Sequence, residues 1–174
     1  MERLTAGIRV FLLAIPLVFA GLISAYHQEP RTSFLEEGSF YTQEKSALRL
    51  AMRQESLTIG RMLSRQLKSV EWNERSIQEL ASHIVRKSRQ YEVSPYLVLS
   101  LIHVESSFRP TAISGKGAVG MMQLMPETAA ELAANGGLAY HGPGALHDPK
   151  LNIELGIRYI VWLQKKFPTY RHIL

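Results

Sequence analysis

The chain has 174 residues, no cysteine, 46% hydrophobic residues and a formal net charge of +5. This length suits one compact domain with an accessory segment, and the hydrophobic fraction excludes a disordered chain. Without cysteine, the chain has no disulfide framework, thiol nucleophile, zinc–thiolate site or lipid-modified cysteine anchor. Basic residues are not concentrated with aromatic ones in any segment, so we predict no nucleic-acid partner.

The N-terminus carries an apolar segment. Arg3 and Arg9 precede residues 10–26, a run of 17 uncharged and mostly apolar residues. A basic start, a short apolar run and small residues at 23–25 are typical of a secretory signal peptide. An uncleaved membrane anchor also fits, because as a helix the run would span about 25 Å of a hydrocarbon core about 30 Å thick. Either interpretation of residues 1–26 sends the rest of the chain across a membrane.

Residues 27–75 are predicted to form a linker and an amphipathic helix. Residues 27–40 are polar and contain Pro30 and Gly38, which favours a linker. From 42 to 70, apolar residues recur at steps of three and four: Leu48, Met52, Ile59, Met62, Leu63, Leu67 and Val70. Three structures fit this helix, namely a stalk, a coiled-coil partner and a helix packed on the following domain.

Residues 76–174 are predicted to be an all-α domain with four short helices, because no strand-type alternation occurs there. The helix starts are marked by a capping box and by prolines at the first helical position: Ser76 with Glu79, Pro95 after a capping Ser94, Pro126, and Pro149 after a capping Asp148. The third helix should end at 135–137 and the fourth near Phe167.

Glu105 lies on the apolar face of the second of these helices. On a wheel at 100° per residue it falls within the arc that Leu97, Leu101 and Ile102 define. A glutamate is seldom buried without a partner, so its position has either a structural reason, such as a salt bridge in the core, or a chemical one. Desolvation would favour its protonated form, as a general acid near neutral pH requires. The helix alone leaves both explanations open.

A glycine-rich segment follows at 111–126. Its glycines allow a ligand to approach the backbone closely, but their spacing does not match a phosphate-binding loop. The methionines of this segment are core residues by default. Gln123 is the polar exception, since its amide can donate to and accept from an amide-bearing ligand.

These residues together resemble the soluble lytic transglycosylase family. The resemblance rests on ESSF at 105–108, AIS at 112–114, GAVGMMQLMPETA at 117–129, DP at 148–149, NI at 152–153 and LG at 155–156. It covers about residues 76–167, in order and with the spacing of the family.

The resemblance implies a lysozyme-like, goose-type helical domain that cleaves the β-1,4 bond between N-acetylmuramic acid and N-acetylglucosamine in peptidoglycan. It implies that Glu105 is the single catalytic residue, first as acid toward the glycosidic oxygen, then as base toward the muramyl C6 hydroxyl, which closes a 1,6-anhydro ring. It also implies a set of substrate-binding residues in which the methionines line the groove: Ser106, Ser114, Gly120, Met121, Met122 and Gln123. It implies no metal and no cofactor.

Domains of this family carry a further Ala-Tyr-Asn segment whose tyrosine lines the groove. No Tyr-Asn pair occurs here, so we expect the catalytic domain to be short at its C-terminal end. Two alternatives stay open: a lysozyme-type muramidase that hydrolyses the same bond, and a catalytically inactive peptidoglycan-binding or scaffold protein.

The expected partners are peptidoglycan glycan strands, the cytoplasmic membrane where the N-terminal segment is uncleaved, and envelope-spanning machinery. The expected location is the bacterial cell envelope, either secreted into the periplasm or anchored in the cytoplasmic membrane. Trp72 and Trp162 are predicted to be packing residues rather than sugar platforms. His141 and His147 flank a Gly-Pro-Gly turn and are predicted to be exposed loop residues rather than metal ligands.

Overall fold

The computed structural model describes residues 33–67 and 72–167, with side chains from residue 41 onward. The chain divides into two compact units, Met1–Ala47 and Leu48–Leu174. The predicted signal peptide or anchor at 1–26 lies outside the described residues, as do residues 27–32 of the predicted linker. In the part of the chain that is described, no helix combines the length and the apolar character needed to span a bilayer.

Helices account for the regular structure of the described residues. They are α1 (Ser33–Gln66), α2 (Glu74–Gln90), α3 (Pro95–Ser106), α4 (Pro126–Gly136), a short 3-10 helix (Pro143–His147) and α5 (Pro149–Lys166). The prolines predicted to start α3, α4 and α5 do occupy the first turn of those helices.

The predicted helix ends follow from local chemistry. The Asp148 carboxylate accepts a hydrogen bond from the Lys150 N–H at 2.8 Å, which confirms the predicted cap of α5. α4 ends at Gly136 because Gly137 adopts a left-handed conformation with φ of 64°, which glycine adopts without strain. Ser94 is the N-cap residue of α3, but its side chain makes no capping hydrogen bond, so that part of the prediction is wrong.

The predicted start of α2 is also wrong. Asn73 is the N-cap residue, and its side chain accepts a hydrogen bond from the Ser76 N–H at 2.8 Å. The Ser76 hydroxyl oxygen in turn accepts from the Asn73 N–H at 3.1 Å, so Ser76 is the second partner of the capping box rather than its first. Glu79 instead pairs with Arg75 and Lys150 on the surface.

α1 differs from its prediction at both ends. It begins at Ser33, so the predicted linker is wrong for residues 33–40. In the second unit Ile59, Leu63 and Leu67 are buried in the same core as α2, whereas Leu48 and Met62 are exposed. The C-terminal part of α1 therefore packs on the domain that follows it. The compact unit begins at Leu48, well before the predicted boundary at 76, because this part of α1 shares its core.

Two hydrophobic clusters form the core of the second unit. The larger joins α1, α2, α3 and α5, and the smaller joins α4 to the segment 119–124 and the 3-10 helix. α5 contributes to both, since Ile153, Ile157 and Ile160 lie in the larger cluster and Leu155 lies in the smaller. α5 consequently packs on both α2 and α4, while α3 is positioned against α2.

Candidate active site

A cleft of about 300 Å³ lies between α3 and α5. The segment 122–125 and the first turn of α4 close one side of it. Its lining is mostly apolar with a few polar groups: Leu101, Glu105, Met122, Gln123, Leu124, Met125, Thr128, Gly156, Tyr159, Ile160 and Leu163. Among these described residues, Glu105 is the only carboxylate.

Glu105 stands in the last turn of α3. The helix ends directly after it because Ser107 and Phe108 take left-handed conformations, with φ of 51° and 62°. Phe108 is then buried in the larger core cluster, which fixes the end of the helix. No residue of the described part forms a hydrogen bond or ion pair with the Glu105 carboxylate. The structural explanation for this glutamate, a salt bridge in the core, therefore does not hold.

The expectation that Glu105 is desolvated by burial is wrong, because its side chain is exposed. The buried side of α3 is centred on Val98, Leu99 and Ile102. Leu101, which helped to define the apolar arc, is only partly buried and lines the cleft beside Glu105. The wheel placed Glu105 in the middle of the apolar arc, whereas the buried face is centred further round the helix, toward Leu99, and Glu105 faces the cleft.

Backbone hydrogen bonds hold the segment 112–124 as a tight double turn. Ser114 donates its N–H to the Ala118 carbonyl at 2.9 Å, and its hydroxyl accepts from the Ala118 N–H at 3.0 Å. The Gly120 N–H donates to Ala112 at 2.8 Å. Gly120 has a φ of 85°, and a Cβ there would collide with the Asn152 amide. The turn therefore requires a glycine at position 120. Ser114 is partly exposed, and its hydroxyl group is bonded within the turn.

Gln123 reaches the cleft from a strained position, since its φ is 46°. Its Nε2 donates to the carbonyls of Gly120 at 2.8 Å and Ala112 at 3.2 Å. Both amide N–H groups therefore face the protein. The oxygen Oε1 remains to accept a hydrogen bond from a ligand.

Two of the predicted substrate-binding residues point into the protein instead. Met121 has no exposed surface and lies in the larger core cluster, so the prediction that it lines the groove is wrong. Ser106 is 2% exposed, and its hydroxyl donates back to the Ile102 carbonyl at 3.1 Å. This burial is against a contact between Ser106 and a substrate.

Met122 and Met125 are the methionines that line the cleft. Met122 is 8% exposed and also belongs to the larger core cluster. It rests on Gly156 of α5, where a Cβ would lie 2.8 Å from the methionine Cε and would overlap its sulfur. The close approach of α5 to the segment that carries Gln123 therefore depends on this glycine.

Sequence reasoning missed the α5 wall of the cleft. Gly156, Tyr159, Ile160 and Leu163 line it at steps of three and four residues. Their helical spacing could have shown that they share a face, but not that this face is open. Tyr159 also stacks on Trp162, which is 41% exposed and lies outside both core clusters. The prediction that Trp162 is a packing residue holds only for its stacking on Tyr159, whereas Trp72 packs on the larger cluster, as predicted.

A buried charge network lies behind α5. Glu154 accepts hydrogen bonds from Lys87 at 2.9 Å and from Arg158 at 3.3 Å. Burial would raise the pKa of Glu154, but the two cations outweigh burial and hold its pKa below the usual range. Burial lowers the pKa of His83, whose Nε2–H donates to the Lys150 carbonyl at 3.0 Å. This network joins α2 to α5 and does not line the cleft.

A larger cleft of about 710 Å³ lies between α1 and α2. Trp72, Arg61 and Glu74 are among the residues that line it, and none of the candidate residues does so. Residues 68–71, which connect its rim at Leu67 to Trp72, lie outside the described part. We therefore place the candidate site in the smaller cleft, where Glu105 lies. Within the described residues no group of three or more His, Asp or Glu side chains is arranged to hold a metal ion.

The chain belongs to the transglycosylase SLT domain family. The family model, described as "Transglycosylase SLT domain", matches residues 82–174, which is more than half of the chain. This result confirms the resemblance that the motifs indicated, and the predicted all-α lysozyme-like fold class is confirmed for the described helical domain.

Two similar proteins are named as membrane-bound lytic murein transglycosylases. The chain is 40% identical over 91 residues to membrane-bound lytic murein transglycosylase E of Buchnera aphidicola, covering 51% of this chain and 41% of that protein. It is 37% identical over 87 residues to membrane-bound lytic murein transglycosylase C of Haemophilus influenzae, covering 48% of this chain and 24% of that protein. The chain thus spans less than half the length of these curated relatives.

A solved structure supports the fold. The chain resembles an inactive mutant of lytic transglycosylase Slt from Pseudomonas aeruginosa with a TM-score of 0.50 and 24% identity. The likeness covers 80% of this chain and 25% of the other.

Proposed function

We propose that this chain is a peptidoglycan lytic transglycosylase in which Glu105 serves as the single acid and base. The observation that carries the proposal is the state of Glu105, an exposed and unpaired carboxylate that lines a mostly apolar cleft. Membership in the SLT domain family supports it, as do the names of the murein transglycosylase relatives.

The reaction has two proton transfers through one carboxyl group. Protonated Glu105 donates its proton to the glycosidic oxygen, and the bond between that oxygen and C1 of N-acetylmuramic acid breaks. The charge that develops at C1 is stabilised by the N-acetyl group of the same sugar. The Glu105 carboxylate then accepts the proton of the C6 hydroxyl as O6 bonds to C1, which closes the 1,6-anhydro ring and restores the acid. No water is consumed.

The cleft assigns roles to the neighbours of Glu105. Leu101, Met122 and Leu163 would lie against the sugar and exclude water from the reacting groups. Gln123 would accept a hydrogen bond from an N-acetyl N–H or a hydroxyl group through Oε1. Gly120 and Ser114 hold the turn that presents Gln123.

The single carboxylate favours the lyase over a hydrolase. Most glycoside hydrolases use two carboxylates about 5 to 10 Å apart, one as acid and the other as nucleophile or as base for water. The described residues that line this cleft supply Glu105 alone. A nucleophile within the substrate, the C6 hydroxyl, needs no second carboxylate.

The test is the product of murein digestion. The chain is incubated with purified murein sacculi, and the soluble fragments are analysed by mass spectrometry. We expect muropeptides that end in 1,6-anhydro-muramic acid, each lighter by one water than the hydrolysed fragment. Fragments that carry only reducing ends would instead show a muramidase.

A pair of variants tests whether Glu105 is the catalytic residue. Glu105→Gln keeps the shape of the side chain but cannot exchange a proton, so we expect cleavage to fall at least about 100-fold. Glu131→Gln, at an exposed position on α4 outside the cleft, is the matched control and should cleave as the parent does. Equal rates for the parent and Glu105→Gln contradict the assignment, and absence of release by both supports a binding or scaffold role.

We further propose that the chain acts in the bacterial cell envelope. The relatives are named membrane-bound, and the apolar run at 10–26 supports either export or an anchor in the cytoplasmic membrane. Residues 48–174 form the catalytic domain in this proposal, since α1 shares its core. Cell fractionation, with a comparison of the mass of the mature chain with that of the full sequence, distinguishes a cleaved signal from an anchor.

A further inference from the structure

Trp162 is a large aromatic ring that the hydrophobic core does not use. It is 41% exposed on α5 and is a member of neither core cluster, although Tyr159, on which it stacks, packs on the smaller one. Trp72, the other tryptophan of the chain, does pack on the larger cluster. Because part of the indole faces solvent one helical turn from a residue that lines the cleft, the ring is accessible to a ligand.

Tyr159 connects this ring to the cleft. It lines the cleft together with Glu105 and stands one helical turn before Trp162. The two ring centroids are 5.7 Å apart and the ring planes are 16° from parallel. The rings thus form a stacked aromatic surface that begins inside the cleft and continues outside it along α5.

Lys166 lies over the indole. Its ammonium nitrogen is 4.5 Å from the centroid of the Trp162 ring, within cation–π distance. The exposed lysine is flexible, so it can leave the ring when a ligand approaches. It also places hydrogen-bond donors beside the ring, where hydroxyl or carboxylate groups of a ligand would lie.

We propose that Tyr159 and Trp162 form a saccharide-binding subsite that extends the Glu105 cleft. A pyranose ring carries C–H groups on its faces and hydroxyl groups at its edge. A flat indole with an ammonium group beside it matches both, through stacking and hydrogen bonding respectively. The subsite rests on the proposed function, because its ligand is the next sugar of the glycan strand whose neighbour occupies the cleft.

Tryptophan fluorescence tests the subsite directly, since the chain has only two tryptophans. The experiment uses the full chain with Glu105→Gln, which prevents turnover, and N-acetylchitotetraose as the probe. Adding Trp72→Phe leaves Trp162 as the sole indole, and adding Trp162→Phe leaves Trp72 as the matched control. We expect the probe to shift the emission of the first protein saturably and to leave the emission of the second unchanged.

Calorimetry gives a second measure. Trp162→Ala should weaken binding of N-acetylchitotetraose roughly two- to tenfold, the range of an aromatic stacking contact. Its thermal unfolding should match that of the parent, because the indole lies outside the core. An unresponsive emission in the Trp72→Phe protein, or undiminished binding by Trp162→Ala, overturns the subsite.

The cleavage assay separates this proposal from the proposed function. Murein cleavage by the unmodified chain without a fluorescence response retains the transglycosylase and rejects the subsite. A saturable response of Trp162 without cleavage retains the subsite and rejects the transglycosylase.

Discussion

Asn152 of α5 binds the backbone of Met122, whose N–H donates to the Asn152 Oδ1 at 2.8 Å. The same side chain donates through Nδ2 to the carbonyls of Val119 at 2.9 Å and Leu146 at 3.1 Å. Asn152 is completely buried. One amide therefore satisfies three buried backbone groups and fixes the segment next to Gln123 against both α5 and the 3-10 helix.

The first prediction concerns this amide. Asn152→Ala leaves the buried Met122 N–H and the Leu146 carbonyl without partners, each of which costs about 1 to 3 kcal/mol, whereas the Val119 carbonyl keeps its bond from the Leu124 N–H. We expect the free energy of unfolding to fall by about 3 kcal/mol or more, measured by urea denaturation. Asn135→Ala, at an exposed position near the end of α4, is the control and should change it by less than about 0.5 kcal/mol. Similar losses in the two variants contradict the role of Asn152.

The second prediction concerns the contact between Met122 and Gly156. A methyl group at position 156 would overlap the Met122 sulfur, so Gly156→Ala should destabilise the chain by about 1 to 3 kcal/mol, although alanine favours helix. Gly144→Ala is the matched control, because open space surrounds that position.

A second substitution tests whether the Met122 sulfur causes the destabilisation by Gly156→Ala. In a double-mutant cycle, Met122→Ala removes the colliding sulfur, so Gly156→Ala should cost at least about 1 kcal/mol less in that background. Additive effects of the two substitutions contradict the proposed contact.

The signals that predicted the fold correctly are local ones. Pro95, Pro126 and Pro149 mark helix starts because proline fixes its own φ and has no N–H to satisfy, which holds in any tertiary context. Gly137 ends α4 for a similarly local reason. The predicted capping box at Ser76 failed because Asn73 competes for the same motif three residues earlier, and both choices fit the sequence.

The sequence motifs predicted which residues form the site, but not which of their side chains face the cleft. Glu105 and Gln123 line one cleft, as the motifs predict. Met121 and Met122 are adjacent and alike, yet one is fully buried and the other lines the cleft. Their difference arises from the turn at Gly120 and the bond from Met122 to Asn152, which is 30 residues away in sequence. No periodicity in the segment itself contains that information.

The third prediction is a loss of stability in acid, from His83 and Glu154. The pKa of His83 is lowered by burial, so the unfolded chain takes up the proton first as the pH falls below about 6.5. The pKa of Glu154 is also lowered, since Lys87 and Arg158 outweigh its burial, and its contribution is lost as the pH falls below about 4.5. His83 and Glu154 both make the chain less stable as the pH falls, and both stabilising contributions are present in full at pH 7.5.

Urea midpoints between pH 7.5 and 4 measure this dependence. His83→Gln, which keeps an N–H donor for the Lys150 carbonyl, should flatten the decline between pH 7 and 5.5 and leave the loss that begins below about pH 4.5. His141→Gln, at an exposed loop position, is the control and should follow the parent curve. A His83→Gln curve parallel to the parent would show that His83 does not contribute.

The fourth prediction concerns Gln123, which joins the turn to the cleft. Gln123→Leu removes both N–H donors to the Gly120 and Ala112 carbonyls and the Oε1 that would face the sugar. We expect murein cleavage to fall about tenfold or more, because the substitution removes a hydrogen bond to the sugar and displaces the turn. The free energy of unfolding should fall by about 1 to 2 kcal/mol for the two carbonyl bonds.

Gln123→Glu distinguishes the two roles of this side chain. Its carboxylate keeps an acceptor oxygen toward the cleft but has no N–H for the two carbonyls, so the turn should be destabilised while an acceptor remains. If the acceptor dominates, Gln123→Glu cleaves faster than Gln123→Leu; if the turn dominates, both variants lose cleavage and stability equally. Gln90→Leu, at the exposed end of α2, should leave both quantities unchanged. Parental cleavage by Gln123→Leu would remove Gln123 from the site.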